Sequence, residues 1–316
     1  MSSINTNISA MTALQSLTAA NKAYTETQKH IATGLRVGEA SDNAAYWSIA
    51  TTMRSDRSAL STVQDALGLG GSMVDVAYTA VNTSIDLVDQ IKTKLVAARE
   101  PGIDRTKVQS EISELQKQLA GIASSASFSG DNWLSVDSSV STYNASKNIV
   151  ASFVRTGNTV SVQTITIDSS GMDLFDANTA ATNAAAGILD GNRTTLGVLD
   201  NTATTFSVSG LSISALTDSS TDLATLDSYI KGADAAIREM TTAAGSLGAV
   251  KKRIGLQKDF VTNLISALDR GIGSLVDADM NEESTKLQAL QVKQQLGIQA
   301  LSIANAQSQN ILRLFQ

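Results

Sequence analysis

Apolar residues recur at alternating intervals of three and four over unusual lengths of this chain. From Tyr46 the register runs through Ile49, Met53, Asp56, Leu60, Val63, Leu67, Gly70, Val74, Ala77, Val81, Ser84, Val88, Ile91 and Leu95 to Ala98. Thirteen of those sixteen positions are apolar, which predicts one helical stripe about seven heptads long. At ~1.5 Å per residue that helix spans roughly 80 Å, too long for an ordinary globular core. Pro101-Gly102 ends it, because proline removes a helix donor and clashes with the preceding turn. A second helix carries Val108, Ile112, Leu115, Leu119, Ile122 and Ala126 on one face. The spacing returns from Leu223 through Leu226, Ile230, Ala233, Ile237, Met240, Ala244 and Leu247 to Ile254, Val261, Ile265, Leu268, Ile272 and Leu275. The expected fold is mainly α, a long antiparallel helical bundle or coiled coil. It closes only when the two ends of the chain meet.

The extreme ends are helical in pattern but different in chemistry. Residues 1–35 place Leu14, Leu17, Tyr24, Ile31 and Leu35 on one seam, with Asn21 and Gln28 between them. Residues 280–316 place Met280, Leu287, Leu290, Leu301, Ala304, Ile311 and Phe315 on one seam, with a second stripe of Val292, Leu296, Ile303 and Leu314 beside it. A helix with two apolar stripes needs neighbours on two sides. Charge is nearly absent: Lys22 is the only charged side chain in residues 2–25, and only Lys286, Lys293 and Arg313 follow Glu283. Identical copies packed by symmetry bring like charges together, so faces of Asn, Gln, Ser and Thr suit self-association. A lone chain cannot bury both stripes, so the ends are expected to order fully only among neighbours.

Residues 136–224 change character. Ser and Thr supply 28 of those 89 residues, and Lys147, Arg155 and Arg193 are the only basic ones. Ile149–Val154 and Thr159–Ile167 read as strands joined by a turn at Arg155-Thr156-Gly157-Asn158. Shorter strands are expected at Thr205–Val208 and Leu211–Ser214. The middle is thus a small β-rich insert. Three parts are expected: 1–40 with 278–316 as a terminal coiled-coil domain, 41–174 with 223–277 as a helical tube domain with a β-hairpin, and 175–222 as a small surface insert. With few large apolar side chains, the last is expected to tolerate deletion of 178–203.

Composition narrows the chemistry. With 42% hydrophobic and 17% charged residues at net charge −6, the chain is neither a disordered polyelectrolyte nor a nucleic-acid binder by electrostatic footprint. No cysteine removes disulfides and thiolate chemistry, and one histidine, His30, leaves no catalytic triad or HExxH site. His30 falls outside the predicted seam and reads as structural. Gly68, Gly70 and Gly71 sit inside the long stripe without a phosphate-loop pattern; thinning of side chains for a close neighbour is one explanation, local flexibility another. Asp277-Ala278-Asp279 with Glu282-Glu283 lacks EF-hand spacing and marks a helix start or joint, because the register slips by one residue there. No apolar run of membrane-spanning length appears, nor a cleavable signal peptide. No enzyme, cofactor or metal is expected.

Motifs at both ends resemble one family. Ile4-Asn5-Thr6-Asn7 opens the series. Thr33-Gly34-Leu35-Arg36-Val37 and Ala40-Ser41-Asp42-Asn43-Ala44-Ala45 follow, then Phe128-Ser129-Gly130 with Leu134 after the second helix. Leu247-Gly248-Ala249-Val250 with Arg253, Asp277-Ala278-Asp279-Met280, Gln294-Gln295-Leu296-Gly297, Ala304-Asn305-Ala306, Gln309 and Leu312-Arg313-Leu314-Phe315 complete it. In this order they resemble the bacterial flagellins over about 1–135 and 223–316, and among those the flagellins of soil bacteria with rigid, multi-flagellin filaments. The hook–filament junction proteins share such ends and stand as the alternative.

The resemblance implies a secreted structural subunit that polymerises with itself, and with other flagellins, into the extracellular filament for swimming. An export chaperone, the cap and hook-associated proteins are its other partners, and neither nucleic acid nor membrane is. Terminal helices would form an inner coiled coil and the longer helices an outer tube, with Gly34, Arg36, Asp42, Asp277 and Asp279 at the inter-domain joint. Two departures stand out. Gln90-Ile91-Lys92-Thr93-Lys94-Leu95 replaces the stretch that an animal innate receptor reads, and Ser308 stands where the family usually carries proline.

Overall fold

The structure, a computed structural model, describes residues 7–141, 143–157, 159–178, 187–200 and 206–313. In chain order its elements are α1 Ile8–Thr33, α2 Ala44–Ala97, α3 Arg105–Ser125, β1 Ser127–Phe128, β2 Asp131–Asn132, β3 Ser135–Val136, β4 Ser146–Thr156, β5 Thr159–Asp168, β6 Phe175–Asp176, α4 Ser220–Val276 and α5 Met280–Arg313. The fold is mainly α, with the strands confined to the middle, as the periodicities predict. By contacts the chain divides into one unit of residues 1–58 with 264–316 and a second of 59–263. That division falls within α2 and α4, whereas the sequence reading sets its boundary near residues 40 and 278.

In the second unit the predicted stripe is the core. Every register position from Leu60 to Ala98 is buried, Gly70 and Ser84 included. Ile112 and Leu119 of α3 and Leu226, Ala233, Met240 and Leu247 of α4 are buried with it. Ion pairs Lys251–Asp75 at 2.8 Å, Lys92–Asp234 at 3.5 Å and Arg99–Asp227 at 3.0 Å mark the antiparallel register of α2 and α4. After α2 the chain turns at Gly102 (φ 83°), and Asp104 caps α3 by accepting from the Thr106 and Lys107 amides. α3 ends at a tight hairpin in which Ser129 and Gly130 both have positive φ, the geometry a two-residue β-turn needs. There the Asn132 amide donates to the Ala123 carbonyl at 2.8 Å and closes the helix end.

The hairpin β4–β5 pairs in register from Thr156↔Thr159 to Ser146↔Asp168, with an irregularity between Val150 and Ser152. β4 runs three residues before and two beyond its predicted bounds, and β5 one residue beyond. Gly70 explains the seating of the hairpin: a Cβ there would lie 2.5 Å from Ile149 Cγ2, so the missing side chain is the space Ile149 fills. Of the two explanations for the glycine patch, the structure supports thinning at Gly70. At Gly68 nothing approaches within 4 Å.

Two expectations about the middle are corrected. No strand forms over 206–214; Phe206 makes only an isolated bridge to Arg193. Glutamines of α3 satisfy this backbone instead: Gln116 Nε2 donates to the carbonyls of Val208 (3.0 Å) and Leu211 (3.2 Å), and Gln109 Oε1 accepts from the Ile213 amide at 2.7 Å. Thr205 lies outside the described residues. Nor is the segment poor in core: Ile188, Leu189, Phe206, Val208, Leu211 and Ile213 are buried. Arg193, fully buried, donates to the carbonyls of Ile188 and Gly197 and pairs with Glu239 Oε2 at 2.6 Å. Deletion reaching into residues 187–200 is therefore expected to remove core contacts of Ile188, Leu189 and Arg193 and to destabilise the second unit.

Candidate self-assembly surface

The first unit is built on α1 and α5, which pair antiparallel. Asn7 caps α1, its Oδ1 accepting from the Ala10 amide, and its Nδ2 donates to the Ala304 carbonyl of α5 at 3.0 Å. Along α5 from Asn281 to Ala306 only Glu283, Leu287, Leu290, Gln294, Gly297, Leu301 and Ala304 are shaded from solvent. Their strict 4-3 spacing is the seam of a coiled coil. At its middle a Cβ on Gly297 would lie 3.1 Å from Leu17 Cδ1.

The complementary seam of α1 is Ala10, Ala13, Leu17, Ala20, Tyr24, Thr27 and Ile31. Leu17, Tyr24 and Ile31 stand where the sequence puts them. Leu14, expected on the same seam, is 53% exposed, and Asn21 and Gln28 face solvent. Their places are taken by Ala13, Ala20 and Thr27, small residues that let the partner helix approach. His30, expected off the seam, is buried, with Nδ1 3.2 Å from Glu283 Oε1. Thr27 Oγ1 and Glu283 Oε2 are buried there without a hydrogen-bond partner.

The other side of α5 has no cover. Val292, Leu296 and Ile303 are 55%, 59% and 67% exposed. At about 100° per residue they lie opposite Leu301. Met280 opens the helix at 43% exposure, and Ile298 is likewise exposed. On α1, Ile8 and Met11 join Leu14 as exposed apolar side chains, 66% and 64% open. Ile8, Met11 and Ile298 are absent from the seam read off the sequence, because they follow no heptad register; the signal for Ile8 and Met11 is simply large apolar residues in a stretch without charge. The side chains of Ile311, Leu314 and Phe315 lie outside the described residues.

The five residues expected at the joint all lie in this unit. Gly34 ends α1 with φ 71°, its amide donating to the His30 carbonyl at 2.8 Å. The Arg36 amide donates to the Val276 carbonyl (2.7 Å) and its guanidinium to the Leu275 carbonyl (3.1 Å). Leu35 bridges Asp277, and the Ala278 amide donates to the Gly34 carbonyl, so the α1–α2 and α4–α5 connections form a short antiparallel ladder. Asp279 caps α5 by accepting from the Asn281 amide at 2.9 Å. Asp42 Oδ2 accepts from the amides of Glu39 and Gly38, which hold its carboxyl below the usual range, with Lys29 assisting. Lys29 in turn pairs with Glu39. Beneath the ladder, Val37, Ala50, Ile272 and Val276 form a buried cluster with Leu35, Trp47, Met53 and Leu275 against it.

A helical pair with an uncovered apolar stripe, attached to a well-packed unit, defines a self-assembling structural protein. Comparison with known proteins gives the family. Residues 4–139 match the bacterial flagellin N-terminal helical region and residues 230–315 the bacterial flagellin C-terminal helical region. The chain is 49% identical to Flagellin C of Rhizobium meliloti strain 1021, 41% to Flagellin A of Rhizobium meliloti and 42% to the flagellin of Brucella melitensis biotype 1, each over the full length of both chains. The chain belongs to the bacterial flagellin family. It is a structural subunit of the flagellar filament, in a class of proteins that assemble rather than catalyse. Among the described residues no helix is long and apolar enough to cross a membrane.

Proposed function

We propose that this chain is exported through the flagellar channel and polymerises by its terminal helices. α1 and α5 form the inner layer of the filament, and the unit of residues 59–263 supplies the outer wall. The assembly seams are Leu14, Leu17, Tyr24, Ile31, Leu35, Met280, Leu287, Leu290, Leu296, Leu301, Ile303, Ile311, Leu314 and Phe315; Gly34, Arg36, Asp42, Asp277 and Asp279 form the joint. The three-part division at residues 40, 174, 222 and 278 belongs to the same reading. So do an export chaperone, the cap and hook-associated proteins as partners that meet the ends before neighbours do.

One observation supports this reading above the others: the exposed stripe Val292, Leu296 and Ile303 on the side of α5 opposite its paired seam. Three large apolar side chains in one row, each still more than half exposed, gain about 1–2 kcal/mol each when a neighbour buries them. Limited proteolysis tests it. Cleavage should fall within 1–40 and 280–316 in the monomer and be suppressed in the filament. Equal protection of both ends in the two states would overturn the proposal that these ends mediate assembly.

A further inference from the structure

The second unit carries two exposed surfaces that its own fold leaves open. On α4, Lys252, Leu256 and Phe260 form an i, i+4, i+8 row; Leu256 is 59% and Phe260 56% exposed, with Lys252 exposed at one end. At about 100° per residue this row faces away from Leu247, Ile254 and Val261, the buried face of the same helix. Between α2 and α3 runs an open cleft of 450 Å³ lined by Val76, Thr79, Ala80 and Thr83 on one wall and Ile122 and Ala126 on the other. Its walls are again i, i+4 rows: Val76–Ala80, Thr79–Thr83 and Ile122–Ala126. Ridges of this class pack into grooves of the same class at a crossing angle of about −50°.

The geometry points to a contact between copies in which the Lys252–Leu256–Phe260 ridge of one chain enters the α2–α3 cleft of the next. Charge agrees with the pairing. The acidic edge of the cleft carries Asp75, already paired with Lys251 of its own chain, and the exposed Asp86 one step along α2. The ridge brings Lys252, with Arg253 and Lys258 exposed beside it, while Lys251 is engaged by Asp75 of its own chain; Asp259 is the one acid among its exposed neighbours. Two large apolar side chains one turn apart fit small walls of Ala, Thr and Val, and both lose water on docking.

A second copy is the occupant because each chain presents both surfaces and the family polymerises. Ridge and cleft are different surfaces, so the contact is heterologous, the type that builds a helical filament when its rotation does not close into a ring. The contact rests on the reading of the chain as a filament subunit but not on the terminal seams, so the two fail separately.

The natural chain has no cysteine, so introduced thiols report alone. Chains carrying Thr79→Cys or Thr83→Cys, both exposed cleft positions, are co-polymerised on filament seeds with chains carrying Leu256→Cys or Phe260→Cys, then oxidised. Sedimentation reads filament formation and non-reducing electrophoresis reads the cross-link. The expected result is a disulfide-linked dimer joining a cleft thiol to a ridge thiol in at least one of the four pairings. Its yield should be about tenfold or more above that of the same mixture kept monomeric, since assembly raises the effective thiol concentration. Filaments without a cleft-to-ridge disulfide in any pairing, or with ridge-to-ridge disulfides only, would overturn the inference. Far-UV circular dichroism of each variant confirms folding, and any pairing with an unfolded member is replaced by its neighbour in the same row.

Discussion

The two units use the same 3–4 periodicity to opposite ends. In the unit of residues 59–263 the stripe of α2 is buried without a gap from Leu60 to Ala98, with Ile91 and Leu95 fully enclosed. In the unit of the chain ends the same stripe is open at Tyr46 and Ile49, 42% and 49% exposed, and α5 is shaded along a single seam. One unit completes its core within a chain and the other leaves exposed apolar side chains on both terminal helices for neighbours. The difference lies in what surrounds the helix: α2 meets α3, α4 and the hairpin, whereas among the described residues the shaded seam of α5 is the one against α1.

The largest effect should come from placing one substitution in both settings. Ile91→Asp buries a carboxylate with no partner in a closed core, which costs at least about 4 kcal/mol and unfolds the unit. Leu296→Asp places the same group on the open stripe, where water still reaches it in the monomer. The thermal melt of that monomer should match the natural chain to within about 0.5 kcal/mol, while seeded polymerisation is lost. A Leu296→Asp chain that forms normal filaments would remove α5's outer stripe from the interface.

Next in size is Arg193. It is fully buried, bonded to two carbonyls and to Glu239, which is itself about one-third exposed. Arg193→Ala strands those acceptors and opens a cavity, so about 3–5 kcal/mol should be lost from the second unit. Denaturant unfolding measures this. A loss under about 1 kcal/mol would return the segment around it to the status of a detachable surface insert.

A smaller effect is tied to pH. Burial pushes the Asp173 carboxyl up to about 6; the Tyr143 hydroxyl, donating to Oδ2 at 3.0 Å, works against that, and Asp176 adds to it. A folded-state pKa above the unfolded value of about 3.9 means the fold favours the protonated acid. This contribution is therefore fully present below about pH 4 and is lost as pH rises through 6, a change of up to about 3 kcal/mol. Asp173→Asn keeps an oxygen for Tyr143 and removes the titration. Its stability should fall less than the natural chain's between pH 4 and 7; parallel curves would show that Asp173 ionises normally.

Legibility followed the same division. The helices of the closed unit could be read almost residue by residue, because a stripe buried on one face leaves a period, as from Leu60 to Ala98. The register slip between Leu275 and Met280 locates Asp277 and Asp279 at a joint, whereas Gly34, Arg36 and Asp42 come from the family resemblance alone. The seam of α1 was half legible: Leu17, Tyr24 and Ile31 announce themselves, but Ala13, Ala20 and Thr27 carry little hydrophobic signal and matter by being small. His30 was misplaced because its partner Glu283 lies at the other end of the chain. Segment 206–214 looks like strands because Phe206, Val208, Leu211 and Ile213 alternate with serines, yet Gln109 and Gln116 supply the hydrogen bonds instead, and glutamine on a helix face gives no warning of that.

The finest test sits in the glycine patch, where neighbouring positions on one helix should respond with opposite sign. Glycine inside a helix is about 1 kcal/mol worse than alanine, through backbone entropy. At Gly68 a new Cβ meets nothing within 4 Å, so Gly68→Ala should stabilise the second unit by about 1 kcal/mol. At Gly70 the Cβ would sit 2.5 Å from Ile149 Cγ2, 2.7 Å from Cδ1 and 2.9 Å from Cγ1. Three atoms on both branches of one β-branched side chain cannot all move aside, and overpacking costs about 1–3 kcal/mol. The helix gain offsets only part of this, so Gly70→Ala should be neutral to destabilising by about 2 kcal/mol. Pairing it with Ile149→Ala separates the two contributions. In the Ile149→Ala background the clash is gone, and Gly70→Ala should then stabilise, giving a coupling of about 1–3 kcal/mol in a double-mutant cycle. Additive single effects would mean that α2 and the hairpin do not touch at Gly70.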